Sequence, residues 1–118
     1  MSYLEDTIDW QAIHYVDEWL ASKVSQEYKD QVLAQDWARI SKIGEELGEA
    51  IQAFIGATGQ NPRKGFTHGM DEVLDELADT AITAIFAIQH FTKNPHDTKS
   101  IIRNKIAKIE QRAREAKI

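Results

Sequence analysis

The sequence predicts an all-α fold, an antiparallel bundle of about four helices. Three observations predict it. Apolar residues recur at three- and four-residue intervals through four long segments, the period of a helix with one buried face. No run alternates convincingly at period two, so strands have no signal. Gly and Pro cluster in only two places, residues 56–65 and 93–95, which read as breaks between helices.

The first helix is expected over about residues 7–24. Ile13, Val16, Trp19, Leu20 and Val24 recur at helical spacing, with Asp6 or Thr7 as N-cap. The second is expected over residues 30–57. Its apolar face takes Val32, Trp37, Ile40, Ile43, Leu47, Ala50, Ile51 and Phe54. The third is expected over residues 69–91, with Thr67 as a candidate cap. The fourth is expected over residues 97–117, with Ile102, Ile106, Ile109 and Ala113 on one face. Four such stripes must be buried against one another, hence the bundle.

The chain has 118 residues, enough for one domain, and 42% are hydrophobic, enough for one core. Its formal charge of −5 argues against stable nucleic-acid binding, which draws on Lys and Arg. It has no cysteine, so disulfides, thiolate nucleophiles and iron–sulfur ligation are excluded. The N-terminal stretch is acidic and broken by polar residues, which predicts no signal peptide. The most apolar run, residues 81–88, is far shorter than the roughly 20 residues a spanning helix needs. A soluble, cytoplasmic protein without membrane partners is expected.

The chemistry lies in the carboxylates. Helix two carries Glu45-Glu46-Leu47-Gly48-Glu49 and helix three carries Asp75-Glu76-Leu77-Ala78-Asp79. Glu46 and Glu49 share a helix face, and Glu76 and Asp79 repeat that spacing. Antiparallel packing across the glycine-rich loop brings the four to one level. Without a cation they repel and their pKa values rise. A divalent ion resolves the conflict, and all-oxygen ligation selects Mg²⁺, with Mn²⁺ as a substitute. The apolar residues after Asp79, with Ile82 and Phe86 continuing its stripe, predict that Asp79 is buried. Gly44 and Gly48 each weaken a helix by roughly 1 kcal/mol relative to Ala, so they suggest a close approach by a neighbouring helix or a ligand. A di-iron site is not indicated, because no Glu is followed by His three residues on. His14, His68, His90 and His96 lack ligand spacing and are expected at the surface or its boundary.

Glu45-Glu46-x-x-Glu49, then Glu76-x-x-Asp79 after 26 intervening residues, resembles the paired signature of the all-α nucleoside triphosphate pyrophosphohydrolases, the MazG superfamily. The stretch Trp37-Ala-Arg-Ile-Ser-Lys-Ile-Gly-Glu-Glu-Leu-Gly-Glu-Ala50, followed by Thr58-Gly-Gln-Asn-Pro-Arg-Lys-Gly65, resembles its MazG-like branch. The resemblance covers about residues 37–112. It implies Mg²⁺-dependent conversion of a nucleoside triphosphate to the monophosphate and pyrophosphate, in housecleaning or nucleotide-pool control. It implies Glu46, Glu49, Glu76 and Asp79 as metal ligands and Glu45 as a water-orienting carboxylate. Either Glu45 or Glu49 is the general base. It also implies a homodimer or higher homo-oligomer, for which the mixed apolar and charged first helix is suited.

The triphosphate needs cations beyond the metal. Arg63 and Lys64 in the loop are candidates, with Lys42 beside the first motif. Lys105, Lys108 and Arg112 follow one another along helix four beside its apolar stripe. Trp37 is either a core anchor or a stacking platform for the base. Two alternatives are a non-catalytic helical metal-binding protein and a pyrophosphohydrolase for an unusual nucleotide such as phosphoribosyl-ATP.

Overall fold

A computed structural model describes residues 8–24 and 29–116. The described residues are all-helical, with four helices and no strand. They are α1 (Trp10–Ser22), α2 (Val32–Thr58), α3 (Met70–Thr92) and α4 (Pro95–Glu115). No helix among the described residues is long and apolar enough to cross a membrane. The expected caps Asp6 and Thr7, and the expected helix end at residue 117, lie outside the described residues.

Each boundary has a local cause. Asp9 caps α1, its carboxylate accepting from the Ala12 N–H at 3.0 Å. α2 ends at Gly59, in the left-handed conformation (φ 64°) that glycine adopts without penalty. The following loop turns on Asn61, whose side chain accepts from the Arg63 N–H at 3.0 Å. Thr67 is not the cap of α3: Gly69 occupies that position without a side-chain bond. The Thr67 N–H instead returns to the Gly56 carbonyl at 3.0 Å, tying the loop to the end of α2. Asn94 caps α4, which starts earlier than expected because Pro95 is accommodated in the first turn, where its missing N–H costs nothing.

α2 and α3 form an antiparallel hairpin that dominates the packing. Its seam is made of small residues. Ala50, Ala53 and Gly56 are buried on α2, and Val73 and Ala87 on α3. Small side chains let two backbones approach closely. A Cβ on Gly56 would run into Thr67 Oγ1 and His68 Nδ1.

α1 is fixed across the open end of this hairpin by polar links. Arg39 Nη2 lies 2.9 Å from Asp17 Oδ1, and the guanidinium also donates to the Asp17 and Phe86 carbonyls at 3.4 and 3.5 Å. One side chain of α2 thus holds α1 and α3 together. Asp17 is only 4% exposed, so Arg39 is the partner that offsets the cost of burying it. Deeper in, Thr98 of α4 donates to Gln89 Oε1 at 2.7 Å. Gln89 Nε2 donates to His14 Nδ1 at 3.2 Å, which leaves the His14 proton on Nε2, 3.0 Å from Glu18. Gln89 and Thr98 are fully buried. His90 is buried too, contrary to the surface position expected, with Nε2 2.7 Å from Asp36 Oδ1. Asp36 covers it, although no local spacing signals the pair.

The single chain leaves much of its apolar surface uncovered. Trp37 is 63% exposed, so it is not a core anchor. Ile106 and Ile109 of α4 are exposed, because α4 packs on α1 and α3 only through its first turns. The Cα radius of gyration is 17.7 Å, whereas a compact domain of this length has about 13.5 Å.

Replacing Arg39 by Met is expected to cost about 3–5 kcal/mol in urea unfolding, because Asp17 is left buried and unpaired. Adding Asp17→Asn to Arg39→Met should restore a large part of that loss. A double-mutant cycle with no coupling between the two positions would show the pair to be incidental.

Candidate functional site

The candidate site forms where the middle of α2 faces the first half of α3. On α2, the three-residue step from Glu46 to Glu49 puts both carboxylates on the flank next to the Ala50–Ala53 packing face. On α3, Glu76 lies one turn beyond the buried Val73 and so faces the same crossing. Carboxylate oxygens of Glu46, Glu49 and Glu76 lie within 4.8 Å of one another. A second set, Asp75, Glu76 and Asp79, meets the same limit. Glu76 belongs to both and joins them.

Burial is graded across the cluster. Glu46 has a side chain only 12% exposed, Glu76 is half-buried, and Glu49, Asp75 and Asp79 are exposed. The expected burial of Asp79 is therefore not found. Ile82 and Phe86 are only partly covered, so the apolar stripe that was to enclose it opens to solvent. Glu76 Oε2 is the notable atom. It is buried and has no hydrogen-bond partner. A buried carboxylate oxygen without a donor is costly, and a cation is the partner that three converging carboxylates call for.

The electrostatics agree. The neighbouring Glu46 charge pushes the Glu49 carboxyl above its ordinary range, assisted by desolvation and by Glu76. Lys42 is the one cation found at the cluster among the described residues. Its ammonium lies 3.2 Å from Glu45 Oε1 and 3.3 Å from Glu46 Oε1. These bonds, Glu45 first and Glu46 second, hold Lys42 above its usual pKa, so it stays charged. Glu45 is exposed and points to Lys42 rather than into the cluster.

The residues therefore fit a divalent cation: oxygen donors only, on two rigid helices, around an orphaned buried oxygen. Glu46, Glu49 and Glu76 would hold it directly, and Asp79 borders the second set that shares Glu76.

The expected substrate contacts are not gathered in the same way. Arg63 and Lys64 are exposed in the loop beyond the end of α2, more than three helical turns from Glu46. Lys105, Lys108 and Arg112 are exposed on the part of α4 that projects past the hairpin, and α4 makes no packing contact with α2. Trp37 lies on a different face of α2 from Glu46 and Glu49. Gly44 and Gly48 meet no neighbour within 4 Å of a built Cβ, so the close approach expected there does not occur within one chain. The glycine that does permit close packing is Gly56. Sequence reasoning passed over it, although its place between Phe54 and the Gly59 turn was a signal.

No protein-family model, curated protein or solved structure matches the chain.

A raised Glu49 pKa has a consequence for stability. The folded state retains a proton that the unfolded chain has released, so this stabilisation is present below the ordinary carboxylate range. It is lost as pH rises through the Glu49 pKa. Without divalent ions, Glu49→Gln is therefore expected to raise Tm at neutral pH by about 1–3 °C and to flatten this pH dependence. An unchanged or lower Tm at every pH would mean that the three carboxylates do not repel in solution.

Proposed function

We propose that this chain is a Mg²⁺-dependent nucleoside triphosphate pyrophosphohydrolase, converting a ribo- or deoxynucleoside triphosphate to its monophosphate and pyrophosphate in housecleaning or nucleotide-pool control. The observation that carries this reading is the convergence of Glu46, Glu49 and Glu76 around a buried oxygen with no partner. The paired carboxylate signature on successive helices supports it.

When bound there, Mg²⁺ neutralises phosphate charge and lowers the pKa of a coordinated water. The remaining roles belong to the chain. A water oxygen adds to the α-phosphorus as the bond to the bridging oxygen breaks, and pyrophosphate leaves. A carboxylate must take the proton from that water. Glu49 is suited to this by its place at the solvent edge of the cluster. Glu45 would have to release Lys42 first. Lys42 is the cation placed to meet a phosphate oxygen beside Glu46.

A second reading has one observation in its favour. Among the described residues only Lys42 stands near the carboxylates, and the other expected phosphate contacts lie elsewhere. That fits a helical protein that binds a divalent ion without turning over a nucleotide.

Pyrophosphate release from a panel of ribo- and deoxynucleoside triphosphates, with and without Mg²⁺, separates the two. Metal-dependent release is expected. Glu49→Gln should lower kcat by about 100-fold or more if Glu49 takes the proton. Glu46→Gln and Asp79→Asn should weaken Mg²⁺ binding at least about tenfold while the helical circular dichroism is kept. Mg²⁺-dependent stabilisation without release from any nucleotide would favour the binding-only reading. Near-normal rates in Glu46→Gln would remove Glu46 from the site.

A further inference from the structure

α1 packs on α3 and α4 but not on α2. The space left between α1 and α2 is crossed by the Arg39 side chain, which reaches Asp17. Beside that crossing lies a hollow of about 330 Å³, within the range of small-molecule sites, roughly 300–1,000 Å³. It stays open because the side chains facing it are short. Ala34 and Ala38 stand one turn apart on α2, and with Ala21 on α1 they cannot reach across. Val24 completes the apolar wall. Water gains little against such a wall, so an apolar body displaces it favourably.

The charged lining is of one sign. Arg39 and Lys93 line the hollow and no Asp or Glu among the described residues does, in a chain whose net charge is −5. Arg39 has donors to spare. A guanidinium carries five N–H groups. Here it donates to the Asp17 and Phe86 carbonyls at 3.4 and 3.5 Å and pairs with the Asp17 carboxylate at 2.9 Å. Lys93 is set in place by an unusual backbone. It ends α3 at φ 60°, the one non-glycine residue at positive φ among those described. Glycine takes that conformation without penalty and is the usual residue there. A lysine in its stead brings an ammonium to the hollow, and a binding role accounts for the outlier. His90 lines the hollow too, with Nε2 committed to Asp36 and Nδ1 buried, so it contributes ring surface and not a donor.

We propose that this hollow binds a small organic carboxylate. Its apolar body lies against Ala21, Val24, Ala34 and Ala38, and its carboxylate meets the Lys93 ammonium and the uncommitted N–H groups of Arg39. Two cations beside a largely apolar wall suit a monoanion rather than a di- or triphosphate. The site is remote from the carboxylate cluster. On α3, His90 lies fourteen residues beyond Glu76, about 21 Å along the helix. No residue is shared between the two sites, so this inference stands apart from the functional reading.

Backbone N–H chemical-shift titration of the full chain with benzoate, hydrocinnamate and octanoate, each beside its uncharged amide, tests this. At least one carboxylate should shift the Ala34, Ala38 and Lys93 signals and saturate with a Kd of about 1 mM or below. Its amide should bind at least about tenfold more weakly, because the charge-assisted bonds are lost. Lys93→Gly should also weaken binding about tenfold, while Tm holds or rises because glycine relieves the left-handed backbone. A lysine with a structural role alone would change Tm and leave the affinity as it was. Ala38→Leu, at an exposed helix position that faces the hollow, should abolish binding with the helical circular dichroism kept. No saturable shift at these residues with any of the three carboxylates up to about 10 mM overturns the inference. So does equal affinity for a carboxylate and its amide, or an affinity that Lys93→Gly leaves unchanged.

Discussion

Close contact between α2 and α3 is the constraint on which the rest of this structure depends. Ala50, Ala53 and Gly56 present almost no side chain on one helix, and Val73 and Ala87 present little on the other. The backbones are therefore near enough for Glu46 and Glu49 to meet Glu76. Larger residues along this line would separate the carboxylates by roughly the added side-chain width, and three helix-borne charges would disperse into solvent. The loop obeys the same constraint. It folds back onto Gly56 because there is no Cβ to prevent it, and so sets the register in which α3 begins.

The cluster built by that contact works against stability. Glu46 raises the pKa of Glu49, and Glu76 holds an oxygen buried without a donor. Folding tolerates this arrangement because polar links elsewhere join the helices, although Asp17 Oδ1 and His90 Nδ1 are also buried without a hydrogen-bond partner. Arg39 ties three helices through Asp17 and two carbonyls, and Gln89 joins α1, α3 and α4 through His14 and Thr98. Like charges concentrated at one point of a scaffold are the pattern that the proposed cation site would relieve.

The helices also bear on each other through what they leave uncovered. α2 uses one flank for α3, a second for the carboxylates and for Arg39, which reaches α1, and a third that nothing among the described residues covers. That third flank carries Leu47, Ile51 and Phe54 beside Leu77. The apolar flank and the carboxylates thus share one element, set apart by its rotation of 100° per residue.

The sequence by itself determined the helices and the spacing of the carboxylates along them. The three- and four-residue spacing marked four helices to within a few residues, because a helical period is a local property repeated along the chain. The steps from Glu46 to Glu49 and from Glu76 to Asp79 already placed each pair on one face. Burial and companionship were decided by tertiary structure. Asp79 is exposed although its apolar neighbours pointed to burial, since no element lies over that part of α3. His90 is buried against Asp36, 54 residues away in sequence, with no local pattern to announce it. The apolar face of α2 read as one core stripe, but Trp37 and Ile51 face outward while Ala50 and Ala53 face α3. Periodicity shows that a face must be covered. It carries no record of which helix covers it, because that depends on the crossing of elements distant in the chain.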